Sequence, residues 1–225
     1  LERLRMFETD AEHWLRAAEE GATKELTRLL DDGFDINMVM EQFKNGDSFQ
    51  TSALYAAVLD KQEAAARVLL DRGADPNLTT SGGTSPLMGA SIVGSLPLMR
   101  LLLEAKAELN AVEPLTGGTA LHGGCLAGNA ECAEALVRAG CDTTIRDKHG
   151  RTGREGALGE GHSAVVERLG SLEWEKNADM MLNAAGDGNL EHLSRLLDEC
   201  CDVNALGDSS TSHTTGQPVR KTALH

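Results

Sequence analysis

Apolar residues along this chain follow a recurring design. A short block rich in Ala and Leu is followed by a glycine-centred break, a second block with one apolar stripe, and a polar stretch before the next block begins. In the segment from Ala130 to Gly140, AECAEALVRAG, apolar residues return at three- and four-residue intervals, the periodicity of a helix that buries one side. Apolar pairs mark the same place in successive blocks, at Leu69-Leu70, Leu102-Leu103 and Leu136-Val137. Two of these pairs run into a glycine turn, DRGAD and RAGCD, where Gly73 and Gly140 suit the left-handed position just past a helix end.

The first block of each unit opens on Ser or Thr. The phrases are SALYAA from Ser52, SPLMGA from Ser85, TALHGG from Thr119 and TGREGA from Thr152, and they start 33, 34 and 33 residues apart. A Ser or Thr there predicts a helix N-cap, and Pro86 falls at the first helical position, where the missing N–H costs nothing. Gly128-Asn129 then ends one helix and turns the chain into the next. Each unit reads as helix, turn, helix and extended loop.

The period and the phrase together resemble the ankyrin-repeat family. Thr119, Ala120, Leu121 and His122 match that family's opening phrase closely, and GADPN at Gly73 to Asn77 matches its hairpin segment. The resemblance implies an all-α fold, a solenoid of helix-turn-helix units with extended hairpin loops. It implies that the inner face is built from hairpin tips and the exposed side of each first helix, and that His122 serves loop hydrogen bonding. It also implies that Asn37, Asn77, Asn110 and Asn204 occupy hairpin positions at which members of the family are asparagine-hydroxylated.

Two units lack the phrase but resemble each other. The 24 residues from Trp14 and the 24 from Met181 agree at 11 positions, and each is followed by an overlong loop: 15 residues from Asn37 to Ser52 and 18 from Asn204 to Thr222, against 8 from Asn77 to Ser85. The unit from Thr152 is degenerate, with Arg154 where a buried Leu is expected and several glycines that weaken a helix. The expected organisation is a leader over 1–9 and an array of about five units over 10–172. A junction over 173–177 then leads to a second array over 178–225, cut off just after TALH returns at Thr222. Trp14 and Trp174, each near an array end, are expected to cap an exposed core edge. A chain that starts at Leu1 and stops on an opening phrase reads as an excerpt.

Composition narrows the partners. Aromatic residues make up only 3% of the chain, which fits thin layers with Ala at their contacts. The formal net charge of −14 disfavours nucleic-acid backbones and anionic lipid surfaces and favours neutral or basic proteins. No run of 18 apolar residues is present, so no membrane insertion is expected. Cys125, Cys132, Cys141, Cys200 and Cys201 form an odd set without a regular framework, which points to a reducing compartment, the cytoplasm or the nucleus.

Candidate chemistry is sparse. His122 with Cys125, Cys132 and Cys141 suggests zinc, but the spacing follows the repeat rather than a tetrahedral site. The glycine-rich pieces SGGTS and TGGTA do not continue into Gly-Lys-Ser/Thr and read as hairpin tips. The acidic clusters lack the alternating oxygen ligands of a calcium loop. Neither a catalytic constellation nor a cofactor nor a metal site is implied.

The binding expectation rests on the two residues that precede each inter-helix break. In the middle units they are Leu59 and Asp60, Ile92 and Val93, and Leu126 and Ala127. Leu59, Ile92 and Leu126 recur in register and predict an apolar stripe for a partner protein. Ser81, Leu115, Thr116, Lys148, His149 and Arg151 would form its polar rim. A competing reading has the 38–50 loop, with Met38, Met40, Phe43 and Phe49, folding back over Leu59. The expected function is a non-catalytic interaction scaffold, monomeric and cofactor-free; the alternative is a regulatory segment of a larger enzyme or channel.

Overall fold

The computed structural model of the chain describes residues 13–44, 47–192 and 194–195. The expected 1–9 leader, Cys200, Cys201, Asn204 and the closing TALH lie outside the described residues. The chain forms two compact units, 1–172 and 173–225.

In the first unit, helix α1 (residues 13–19) and α2 (Thr23–Asp31) are followed by strands β1 (Val39–Lys44) and β2 (Asp47–Ser52). Three helix pairs come next: α3 (Ala53–Leu59) with α4 (Glu63–Asp71), α5 (Pro86–Val93) with α6 (Leu96–Glu104), and α7 (Ala120–Leu126) with α8 (Ala130–Arg138). Helix α9 (Gly153–Gly159) leads into α10 (Ser163–Gly186), within which the first unit ends. First helices α3, α5, α7 and α9 pack each on the next, and so do second helices α2, α4, α6 and α8.

These helices are seven to nine residues long, too short to be stable alone in water. Their stability comes from burial between neighbours, and the sequence supplies it position by position. All of Ala53 to Val58 in α3 is buried, as a helix covered on several sides requires. The second helices bury one stripe only: Ala65, Ala66 and Leu69 in α4, and Cys132, Ala133 and Leu136 in α8. One continuous apolar cluster runs through the stack from Trp14 to Leu172. At its start Trp14 is fully buried, with its ring centroid 5.1 Å from that of Phe34.

The expected caps are in place. The hydroxyls of Ser52, Ser85 and Thr152 accept from the backbone N–H of Tyr55, Met88 and Glu155, each at 3.3 Å. The degenerate unit keeps its first helix in spite of its glycines. Thr152 and Glu155 form a reciprocal capping box, and Gly153 and Gly156 bring α9 close to α7. Arg154 is half-buried, its guanidinium 3.1 Å from where a β-carbon on Gly170 would lie.

Three local features differ from the sequence reading. The overlong loop after Asn37 is an antiparallel hairpin, paired from Val39 with Ser52 to Lys44 with Asp47. Residues 173–177, expected as a junction, are helical within α10. Trp174 is half-exposed rather than seated on a core edge.

In the second unit, α10 continues to Gly186 and a turn at Asp187-Gly188 leads into helical residues 190–192. Ala184 is buried, whereas Leu182, matched in sequence to the buried Leu15, is exposed.

Candidate protein-binding face

The positions of Leu59, Ile92 and Leu126 follow from the helix each one ends. All three sit in the last turn of a first helix, on the side that faces the following unit. There each meets a glycine at the fifth place of the next opening phrase. A β-carbon built on Gly89 would lie 3.7 Å from Leu59 Cδ2, one on Gly123 2.9 Å from Ile92 Cγ1, and one on Gly156 3.1 Å from Leu126 Cδ2. The stripe is therefore shared between the stack and solvent: Leu59 is half-buried, while Ile92 and Leu126 remain 48% and 37% exposed. Asp60 caps α3 in solvent, and Val93 is half-buried beside Ile92.

Sequence reasoning missed the polar side chains that hold this row in register. Gln62 Nε2 donates to Glu19 O at 2.9 Å, and Asn129 Nδ2 donates to both Ser91 O and Ile92 O at 2.8 Å. His162 Nε2 donates to Leu126 O at 2.9 Å. In each case one unit caps the carbonyls that end the preceding unit's first helix, which would otherwise lack partners. The signal was their common place, immediately after the inter-helix break.

A second ladder runs along the hairpins. Asn37, Asn77 and Asn110 each accept, through Oδ1, the backbone N–H of the next unit, from Asp75, Glu108 and Asp142 at 2.8 to 2.9 Å. His122 does the loop work expected of it: Nδ1 accepts from Thr119 N at 3.2 Å and Nε2 donates to Arg151 O at 3.1 Å. Tyr55 holds the same place in its unit; burial raises its pKa, against the pull of a hydrogen bond with Thr84.

The tip residues are also tied down. Gln50 N and Ser81 Oγ lie 3.1 Å apart, and Lys148 donates from its backbone to Thr116 O and from its ammonium to Pro114 O. Arg151 pairs with Asp147 at 3.1 Å, while Leu115 and His149 stand exposed. Glu113 is buried at the base of its tip. Burial alone would raise its pKa, but hydrogen bonds from the Thr116 hydroxyl and the Leu115 and Thr116 amides hold it below the usual carboxylate range.

The structure thus brings Leu59, Ile92 and Leu126 into one row and the tip residues into another. The tips lead into the N-terminal ends of the first helices and the stripe lies at their C-terminal ends, a separation of roughly 10 Å along a two-turn helix. Among the described residues no group of three His, Cys, Asp or Glu side chains could hold a metal ion. Cys125, Cys132 and Cys141 are free and buried.

Residues 54–147 match the family model for ankyrin repeats (3 copies). Over that stretch the chain consists of ankyrin repeats. It is 34% identical over 120 residues to Protein PhlB of Serratia liquefaciens, covering 53% of each chain. Ankyrin repeat and SAM domain-containing protein 6 of Rattus norvegicus is 35% identical over 105 residues, 46% of this chain and 12% of that one. A transient receptor potential cation channel subfamily A member 1 homolog of Caenorhabditis elegans is 28% identical over 162 residues, 72% of this chain and 13% of the relative. The chain therefore spans about half of the first of these relatives and about an eighth of the other two. Ankyrin repeats mediate protein–protein interaction and are typically non-catalytic. Among the described residues no helix is long and apolar enough to cross a membrane.

Proposed function

We propose that the chain binds a partner protein on the face made by its first helices and hairpin tips, and that it does so without catalysis. The observation that carries this is the row Leu59, Ile92 and Leu126. Each residue is fixed by the glycine of the following unit, and Ile92 and Leu126 nonetheless keep a large share of their surface in water. Helices α5 and α7 carry no formally charged residue, so the middle of this face offers apolar surface at little desolvation cost. Because the row is already held in place, a partner that covers it orders little on binding. A neutral or basic partner fits the net charge, and the cysteine usage favours the cytoplasm or nucleus as the place of work; cell fractionation tests the latter.

The test places a charge on the face without disturbing the stack. Ala127 is exposed, beside Leu126. Ala127→Arg is expected to leave the melting temperature unchanged and to abolish association with the partner recovered by the unaltered chain. Association that survives this change and Ile92→Glu would place the interface elsewhere.

A second reading makes the chain a regulatory segment of a larger enzyme or channel. The small share of the rat and nematode relatives that it covers favours this reading. Sequencing the transcript on both sides of residues 1 and 225 distinguishes the two.

A further inference from the structure

The third hairpin differs from its neighbours by one residue. In the second, Thr80 N donates to Thr84 O at 3.0 Å, and in the fourth Asp147 N donates to Arg151 O at 2.8 Å, each four residues along. In the third, Glu113 N reaches Gly118 O, five residues along, at 2.8 Å. The widened loop carries Leu115, which at 72% is the most exposed large apolar side chain among the described residues of the first unit.

This loop is held rather than loose. The Glu113 carboxylate accepts the Leu115 N–H at 2.6 Å, the Thr116 N–H at 2.8 Å and the Thr116 hydroxyl. Lys148 closes the other side through Pro114 O at 2.6 Å and Thr116 O at 2.8 Å. Thr80 and Asp147, at the corresponding place in the other tips, make analogous bonds to Thr84 and to His149 and Arg151. A wider loop needs the longer reach of Glu. An inserted residue, a buried carboxylate and a cross-hairpin lysine thus combine to present one leucine to water, which does nothing for folding.

The charge around it is equally specific. The carboxylates of this region point inward, with Glu113 9% exposed and the Asp147 side chain 7%. Lys148 and His149 lie at the surface. Beside Leu115, therefore, the exposed charge is the ammonium of Lys148, bonded to Pro114 O, on a chain of net charge −14.

We infer that Leu115 is a preorganised apolar peg with which this hairpin anchors the partner protein, seating in an apolar socket edged by Asp or Glu carboxylates. The inference rests on the protein-binding reading above and adds the residue that anchors the complex and the chemistry that receives it. A rigid leucine seated in a socket loses little entropy on burial, and truncating it is expected to weaken binding about tenfold or more.

The test uses the full chain with photoreactive benzoylphenylalanine in place of exposed His149, next in sequence to the Lys148 that closes the peg's loop, or, separately, in place of Ala127 beside the stripe. Each is irradiated in extract of the cells that make the protein. The captured protein is then purified and titrated by calorimetry against the unaltered chain, Leu115→Ser and Lys148→Glu, with melting curves as controls. The expected result is one partner labelled from both positions, with Asp or Glu next to the residues crosslinked from position 149. Its Kd rises about tenfold or more for Leu115→Ser, and Lys148→Glu weakens it most at low salt, with melting unchanged. Labelling from position 127 alone, or an unchanged Kd for Leu115→Ser, overturns the peg and leaves the stripe standing. Labelling from 149 alone, together with the Kd rise for Leu115→Ser, supports the peg and removes the stripe, and labelling from neither overturns both.

Discussion

A β-carbon added to Gly124 would lie 2.5 Å from the Ser91 hydroxyl oxygen, and that oxygen is buried without a hydrogen-bond partner among the described residues. Successive first helices are this close because Gly124 lacks a side chain. The same contact leaves the hydroxyl no room for a donor or acceptor. Packing between ankyrin units has here been gained at the cost of one unsatisfied polar atom.

Gly124→Ala should therefore destabilise the stack although alanine favours helix. The steric term, about 1 to 3 kcal/mol, offsets or exceeds a propensity gain of about 1 kcal/mol. Ser91→Ala removes a buried unpaired hydroxyl and should be neutral or stabilising by about 1 kcal/mol. With both changes the new methyl meets the residue 91 β-carbon at 3.8 Å, an ordinary contact. Chemical denaturation of the four proteins should then show favourable coupling in the double mutant.

Asn129 ties α8 to the end of α5 through two bonds of 2.8 Å. Asn129→Ala should cost about 1 to 3 kcal/mol, since two carbonyls at the end of α5, that of Ser91 partly buried and that of Ile92 exposed, lose their donor. Asn77→Ala, which removes one exposed acceptor for Glu108 N, should cost about 0.5 to 1.5 kcal/mol. Urea midpoints at unchanged slope would check the order.

Much of this was legible in the sequence because the forces that hold a repeat are themselves periodic. Ser52, Ser85 and Thr152 announced helix starts, and Leu69, Leu102 and Leu136 announced buried stripes, because capping and burial recur at fixed places. The glycines of the opening phrases are visible too, but from sequence alone Gly153 and Gly156 read only as helix weakeners. Whether a glycine loosens a helix or admits a neighbour depends on what lies opposite, here Leu121, Cys125 and Leu126. The hairpin of Val39–Lys44 and Asp47–Ser52 had its own signal in Asn45-Gly46, the dipeptide favoured in two-residue hairpin loops. Leu115 was legible as a tip residue, but the extra residue of its hairpin showed only as a spacing of 34 instead of 33.

Glu113 makes a pH prediction with a definite sign. Its pKa is lower in the folded chain than in the unfolded one, so the ionised carboxylate stabilises the fold. That contribution is fully present above the unfolded value, about 4.3, and is lost as pH falls through the lower folded value. Glu113→Gln should thus reduce the melting temperature at pH 7, and the difference from the unaltered protein should shrink on acidification below about pH 4. A difference that persists undiminished at the acid end would mean that shape rather than charge holds the tip.

The cysteines provide the last prediction. Burial pushes the Cys125 thiol up to about 12, with the nearby Cys141 adding to the shift, and burial with Asp142 pushes Cys141 up to about 11. Cys132 is raised as well, chiefly by burial. The thiolate is the reactive form, so at pH 8 these groups lack both the charge and the access that alkylation needs. Iodoacetamide followed by peptide mass spectrometry should label Cys125, Cys132 and Cys141 only across the unfolding transition. Because Cys125 sits in α7 and Cys141 just after α8, their labelling should rise together with denaturant if these units unfold cooperatively. Labelling of Cys141 well ahead of Cys125 would show instead that the turn after α8 opens before the first helices separate.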